Sequence, residues 1–201
     1  MALQTPAENA PIFMKKIRRA DLTVGLIGLA TAAASIWAVP GTSGWLGAGL
    51  ALLMLAIAVV DYRFLIIPNE LTAAALVLAV INAVFAQAPS IVESLAAAAL
   101  RGAITMLFFL SVRWLYGWLR QREGLGLGDV KLAFVTGAWL DWTMIPVAIE
   151  IAALGALVAY GAWHLFGKRP IDATSRLPFG LFFAPAIWLS WLLGALIFGS
   201  P

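Results

Sequence analysis

Seven runs of apolar residues, separated by short polar segments, follow one another along the chain. They cover residues 22–39, 45–60, 71–86, 91–116, 130–142, 143–166 and 179–198. About 20 apolar residues are needed for a helix to cross a bilayer. The pattern therefore predicts an all-α, polytopic transmembrane helix bundle of about seven spans. The fifth run is shorter than that length, so we expect it to tilt, to thin the bilayer locally or to extend at one end.

The composition supports a membrane protein and excludes several kinds of site. The 201 residues are 63% hydrophobic and 11% charged, against about 45–50% and about 25% in soluble domains. We predict a cytoplasmic N-terminal segment at 1–20 and a single transmembrane domain at 21–201. The absence of cysteine excludes thiolate catalysis and cysteine-based zinc sites, and a single histidine, His164, excludes a paired-histidine metal motif. No metal and no cofactor are predicted.

The positions of the basic residues predict the orientation. With the N-terminus inside, the inner segments are 1–20, 61–70, 113–131 and 167–178, and they hold all lysines and arginines except Arg101. Because cytoplasmic loops are enriched in these residues, we predict a cytoplasmic N-terminus. The net charge of +3 is thereby explained without a nucleic-acid partner. This topology places Asp61, at the end of the second run, and Asp129, at the start of the fifth, on the cytoplasmic side.

Two polar segments flank these aspartates. Pro68 interrupts any helix that reaches it, so we expect the third helix to start after it, with Asn69 as its N-cap. Gly124, Gly126 and Gly128 alternate with leucines before Asp129, a spacing that suits neither a helix nor a strand. Such a segment is expected to turn sharply or to let a backbone approach closely, and Asp129 is then a natural N-cap for the next helix.

An ionisable side chain inside a membrane bundle is a candidate functional residue, because its burial costs free energy. Two adjacent carboxylates can share one proton, so that one activates a water molecule and the other protonates the substrate. Asp129 lies at a predicted helix N-terminus and Asp61 at a predicted C-terminus. From the helix dipoles we expect Asp129 to be the base and Asp61 the protonated acid.

Three segments carry a family resemblance. Gly126-Leu127-Gly128-Asp129, followed by Val130-Lys131-Leu132, resembles the GxGD motif of type IV prepilin peptidases. Asp61 with Ile67-Pro68-Asn69 is similar to that family's first aspartate segment, and Leu177-Pro178-Phe179-Gly180 resembles its late proline-phenylalanine-glycine segment. No role is assigned to the late segment here.

The resemblance implies an aspartyl endopeptidase of the bacterial inner membrane, with the lipid bilayer and type IV prepilins or pseudopilins as its partners. It would cut a short basic leader after a glycine at the cytoplasmic face. Asp61 and Asp129 would be catalytic, with Gly126, Gly128, Lys131, Pro68 and Asn69 supporting the site or the approach of substrate. The chain looks like the short, peptidase-only members of Tad/Flp-type systems. Without the paired cysteines of the bifunctional members, N-methyltransferase activity is not expected.

Two other functions are weighed. Ser43 lies in a GxSG sequence like that of rhomboid serine proteases, but His164 is predicted at the opposite membrane face, about 30 Å away. The second alternative is a non-enzymatic transporter or assembly subunit. For that class the telling residues are Arg101 and Glu150, which we expect to form a buried ion pair between the fourth and sixth helices.

Overall fold

The computed structural model describes residues 10–85, 90–121, 124–166 and 178–199, and all regular structure in these ranges is helical. The helices are α1 Ala10–Ala38, α2 Thr42–Phe64, α3 Asn69–Phe85, α4 Ile91–Arg120, α5 Leu127–Trp139, α6 Met144–Phe166 and α7 Phe179–Phe198. The predicted all-α membrane bundle is confirmed. The predicted basic loop at 167–178 lies outside the described residues except for Pro178. Arg122 also lies outside them.

Among the described residues, four helices are long and apolar enough to cross a membrane, namely α2, α4, α6 and α7. The apolar part of α1, Leu22–Ala38, and all of α3 are shorter. Helix α5 has 13 residues, about 20 Å at 1.5 Å per residue, so it does not cross a bilayer of about 30 Å. It begins three residues before the predicted start at Val130 and ends at Trp139 rather than Trp142.

The core forms where α7 packs against both α2 and α5, with α4 against α5 and α6 against α7. Its largest fully buried side chains include Leu50, Met54 and Ile57 of α2 and Phe183 and Ile187 of α7. The spacings of four and three residues on α2 place these side chains on one face of the helix.

Glycines allow the helices to approach closely at two places. A Cβ atom on Gly47 of α2 would overlap the ring of Trp191 of α7. A Cβ atom on Gly137 of α5 would lie 2.3 Å from the backbone oxygen of Arg101 of α4. The first contact brings α2 close to α7, and the second holds the short α5 tightly against α4.

Helix α2 continues past its predicted end at Asp61 to Phe64, and Leu65 closes it in the left-handed conformation, with φ of 56°. Asp61 therefore lies in the last turn of α2 instead of following the helix. Helix α3 starts at Asn69 itself, so the prediction of Asn69 as an N-cap is wrong. In the first turn of α3, both the N–H and the hydroxyl of Thr72 donate to the carbonyl of Pro68.

The expected ion pair between Arg101 and Glu150 is absent. The Arg101 Nε donates instead to the carbonyl oxygen of Gly137, at 3.2 Å, and the Glu150 side chain is exposed on α6. A cation is favourable there because the last carbonyls of α5 have no partner within the helix. Arg101 also lines a cavity of about 570 Å³. This cavity lies just beyond the end of α5, where a longer α5 would continue.

Candidate active site

Asp61 continues the buried face of α2. It follows Leu50, Met54 and Ile57 at helical spacing, and its side chain is 6% exposed. The same packing that buries the three apolar side chains therefore also buries the carboxyl group. A buried carboxyl group requires hydrogen-bond partners, because it loses those it had in water.

The start of α7 supplies such a partner. The N–H of Leu181 donates to Oδ2 of Asp61 at 2.9 Å. Leu181 lies in the first turn of α7, where backbone N–H groups have no partner within the helix. The contact joins residues that are 120 positions apart in the chain.

Asp129 is held within its own segment. The N-cap of α5 is Gly126, so the prediction of Asp129 as the N-cap is wrong, and it lies three residues further on. There its Oδ2 accepts the N–H of Gly126 at 3.2 Å, as the acidic residue of a capping box does. Asp129 is 8% exposed and shares its face of α5 with the buried Leu132, Ala133 and Thr136.

Ile67 lies between the start of α5 and the start of α7. A Cβ atom on Gly128 would lie 3.0 Å from the Ile67 Cβ, and one on Gly180 would lie 3.0 Å from the Ile67 Cδ1. The Cβ on Gly180 would also lie 2.8 Å from Oδ2 of Asp61. Because these distances are shorter than normal contacts, the loop before α3 fits against α5 and α7 only where they carry glycine.

The two carboxyl groups are close enough to affect each other's charge. Burial and the negative charge of Asp61 raise the pKa of Asp129 to about 6, and the hydrogen bond from Gly126 offsets part of this rise. The dipole argument from the sequence considered only the helix to which each aspartate belongs. The N-terminus of α7 points at Asp61, so both carboxyl groups lie at a helix N-terminus.

The supporting residues from the sequence are partly brought together. The ammonium group of Lys131 donates to Oδ1 of Asn69 at 2.8 Å, which joins α5 to α3 beside the two aspartates. Gly126 and Gly128 flank Asp129 as described, and Pro68 accepts hydrogen bonds from α3. Both Lys131 and Asn69 are exposed, so this contact lies at the rim of the site.

Three contributors were missed from the sequence: Ile67, Gly180 and Leu181. The family-like segment that ends at Gly180 was a signal for the last two, but nothing in the pattern joined it to Asp61. Ser43 and His164 lie at opposite ends of their helices, in the first turn of α2 and the last turn of α6. His164 stacks against Tyr160, with ring centroids 6.5 Å apart.

This arrangement offers general acid–base chemistry by two carboxyl groups at one end of a membrane bundle. Within the described ranges, no group of three or more histidine, cysteine, aspartate or glutamate side chains lies together as a metal site would require. What the site does provide is a pair of buried carboxyl groups in unequal surroundings, which can keep one of them protonated.

Comparison with known proteins agrees with this chemistry. A model of the type IV leader peptidase family matches residues 48–161, a range that includes both aspartates. No solved structure gives a significant match.

Several curated relatives are named prepilin leader peptidase/N-methyltransferase. The protein of Dichelobacter nodosus is 33% identical over 177 residues, which is 86% of this chain and 58% of that protein. The protein of Pectobacterium carotovorum is 30% identical over 76% of this chain and 52% of its own length. That of Burkholderia pseudomallei is 41% identical over 52% of this chain and 32% of its own length. The chain thus spans about half the length of the curated relatives that it matches.

Proposed function

The chain belongs to the type IV leader peptidase family, and we propose that it is a membrane aspartic endopeptidase that removes the leader from prepilins or pseudopilins. Its cut falls after a glycine, between a short basic leader and the apolar pilin helix. The observation that carries this proposal is the pair of buried carboxyl groups, Asp61 and Asp129, on separate helices within electrostatic reach of each other.

We propose that Asp61 is the base and Asp129 the protonated acid, the reverse of the assignment from the helix dipoles. The N–H of Leu181 donates to Asp61 at 2.9 Å, and this donor and the N-terminus of α7 stabilise a negatively charged carboxylate. Asp129 accepts a longer hydrogen bond, at 3.2 Å, and its raised pKa favours the protonated form. Asp61 takes a proton from water as that water attacks the scissile carbonyl. Asp129 polarises the carbonyl oxygen and then protonates the leaving amine.

The substrate class follows from the site's location. Both carboxyl groups belong to the ends of helices that the basic residues orient toward the cytoplasm, so we place the site at the cytoplasmic face of the inner membrane. A prepilin keeps its basic leader in the cytoplasm and its apolar helix in the bilayer. The bond between them then lies at the depth of the two aspartates.

Five residues support the site in this proposal. Gly126 leaves the backbone beside Asp129 without a side chain, which allows an extended substrate to approach, and Gly128 leaves room for Ile67. Lys131 and Asn69 join the start of α3 to α5 through their hydrogen bond, and Pro68 accepts the hydrogen bonds of Thr72 in the first turn of α3. The proposal covers cleavage only, and methyl transfer is not assigned to this chain.

The test is cleavage of a purified prepilin-like substrate by the protein in lipid nanodiscs. We expect Asp61→Asn and Asp129→Asn each to lower kcat/KM by roughly 10²–10⁴-fold, the range for general acid–base groups. The matched control is Asp141→Asn, because Asp141 is an exposed carboxylate beyond the end of α5. Normal cleavage by either site variant would overturn the proposal. No cleavage by the unaltered protein, with substrate bound, would favour a non-enzymatic assembly subunit.

A further inference from the structure

We propose that the first turn of α7 is a backbone clamp for Asp61, in which the N–H of Leu181 donates to the carboxyl group and Gly180 is a positioning residue that lets the turn approach it. The catalytic meaning of this inference rests on the proposed function. The clamp itself concerns only how one carboxyl group is held, so its existence is testable without substrate.

Helix α7 has no side-chain hydrogen bond that caps its N-terminus. Pro178 occupies the N-cap position, and proline has no side-chain acceptor. The first N–H groups of α7 therefore need an acceptor from elsewhere. Asp61 of α2 supplies it, with its Oδ2 at 2.9 Å from the N–H of Leu181. An aspartate from one helix thus caps another, where a carboxylate is favoured by both the free donors and the helix dipole.

Gly180 allows the close approach of α7 to Asp61. Because its side chain is a single hydrogen atom, the start of α7 contacts the carboxyl group directly. A Cβ atom there would lie 2.8 Å from the carboxylate Oδ2 and 3.0 Å from its Cγ. Any other residue at position 180 must push the carboxyl group away or withdraw the turn of α7. The backbone of Gly180 is not in the left-handed region. Glycine is therefore required there for the close contact with Asp61 and not for its backbone conformation.

The clamp fixes the position of Asp61 near the end of its helix. Asp61 belongs to the last turn of α2, and the neighbouring Tyr62 and Phe64 are exposed. Without the N–H of Leu181, the carboxyl group would depend on its own helix end for its position. Because a displacement of about 1 Å at a reacting group can cost on the order of 10²-fold in rate, the clamp keeps Asp61 where the attacking water must be deprotonated.

The experiment compares Gly180→Ala with Gly155→Ala in nanodiscs. The control is matched because a Cβ atom on Gly155 of α6 would meet only Phe182 of α7, at an ordinary contact distance of 3.4 Å. We expect Gly180→Ala to lower kcat on the order of 10²-fold with KM changed less than about threefold, because the loss concerns the reacting group and not substrate binding. Gly155→Ala should retain both constants.

A second variant separates Asp61 from its other neighbour. The added methyl group at position 180 would also lie 3.0 Å from the Cδ1 of Ile67, an atom that Ile67→Val removes. If crowding of Ile67 caused the loss, the Gly180→Ala/Ile67→Val double variant would recover activity, and the clamp would be refuted. Continued loss in the double variant supports it.

A spectroscopic readout tests the clamp apart from activity. Isotope-edited infrared spectra of protein labelled at aspartate carboxyl carbons, with Asp61→Asn subtracted, isolate the carboxyl band of Asp61. We expect this band to shift in Gly180→Ala and to stay in place in Gly155→Ala. An unshifted band overturns the clamp even if cleavage is lost. A shifted band with no cleavage by the unaltered protein would uphold the clamp and reject the proposed peptidase activity.

Discussion

The two carboxyl groups of the site are held by contacts of opposite range. Asp129 accepts its hydrogen bond from Gly126, three residues earlier in the same segment. Asp61 accepts its hydrogen bond from Leu181, which is 120 positions away. One half of the site therefore forms together with its own helix, whereas the other requires the packing of α7 against α2.

This difference has a consequence for energetics. A local hydrogen bond at a helix start persists wherever α5 is helical, since both partners belong to one turn. The bond to Asp61 is lost if α7 shifts by a small distance. The Asp61 half should therefore be the more sensitive to substitutions in the surrounding helices, and the predictions below test that asymmetry.

The largest expected effect concerns the pair as a unit. If the carboxyl groups act in one proton-transfer step, Asp61→Asn, Asp129→Asn and the double variant should all lose cleavage to a similar level, roughly 10²–10⁴-fold below the unaltered protein. Single-turnover cleavage in nanodiscs measures the residual rates. Losses that multiply in the double variant would mean that the two groups act independently, and the paired mechanism would then be wrong.

Lengthening each carboxylate by one methylene should separate the two halves. Glutamate suits the third position of α5, because a longer side chain there still reaches the N-cap N–H. At position 61 the extra methylene must fit where the first turn of α7 already approaches closely. We expect Asp61→Glu to lower the free energy of unfolding by about 2–3 kcal/mol, as overpacking does, and Asp129→Glu to lower it by much less.

Denaturant unfolding in detergent, followed by tryptophan fluorescence, provides the measurement. The Gly155→Ala variant serves as a control for a tolerated change next to α7. Equal losses in the two glutamate variants would remove the proposed difference between a local and a tertiary contact.

The same contrast explains what the sequence predicts and what it does not. The apolar runs placed α2 to α7 within a few residues of their positions, because burial and the bilayer both act on runs of side chains. The largest error is at α1, which begins at Ala10 and so includes polar residues before the predicted start at Leu22. The other errors are at helix ends. Helix α2 runs past Asp61 and ends where Leu65 adopts the left-handed conformation. Leucine rarely adopts this conformation, so the hydrophobic pattern does not predict the helix end.

Within the site, the sequence was informative about Asp129 and silent about the partners of Asp61. The glycines before Asp129 predict a helix start, and its contact lies inside that segment. Gly180 lies in a distant segment, and its contacts with Asp61 and Ile67 exist only after α7 has packed against α2. The Arg101–Glu150 pair failed for the same reason, because pairing the two charges assumed that α4 and α6 are neighbours. Arg101 instead reaches α5.

A smaller effect should appear in the pH dependence of stability. The pKa of Asp129 is raised to about 6 in the folded protein, so the folded state holds this proton more tightly than the unfolded chain. Stability is thus lost as the pH rises from about 4 to about 6, and the rise of the pKa from 3.8 to about 6 corresponds to a loss of about 3 kcal/mol. We expect Asp129→Asn to be more stable than the unaltered protein at pH 7 and equally stable near pH 4.

Unfolding at a series of pH values measures this difference. The exposed Asp141→Asn should follow the unaltered protein throughout, which controls for the other carboxylates. A stability advantage of Asp129→Asn that grows toward low pH would contradict the raised pKa.

The smallest expected effect lies at the rim, where Lys131 donates to Asn69. Both side chains are exposed, so water replaces the lost partner when either is changed, unlike the buried contacts of the two aspartates. Lys131→Met, Asn69→Ala and their double variant should each stay within about 0.5–1 kcal/mol of the unaltered protein in unfolding free energy. A double-mutant cycle gives the coupling energy. Coupling above about 2 kcal/mol would show that the rim contact holds α3 against α5 as firmly as the buried contacts hold the two aspartates. The rim contact would then count among the tertiary contacts that support the site.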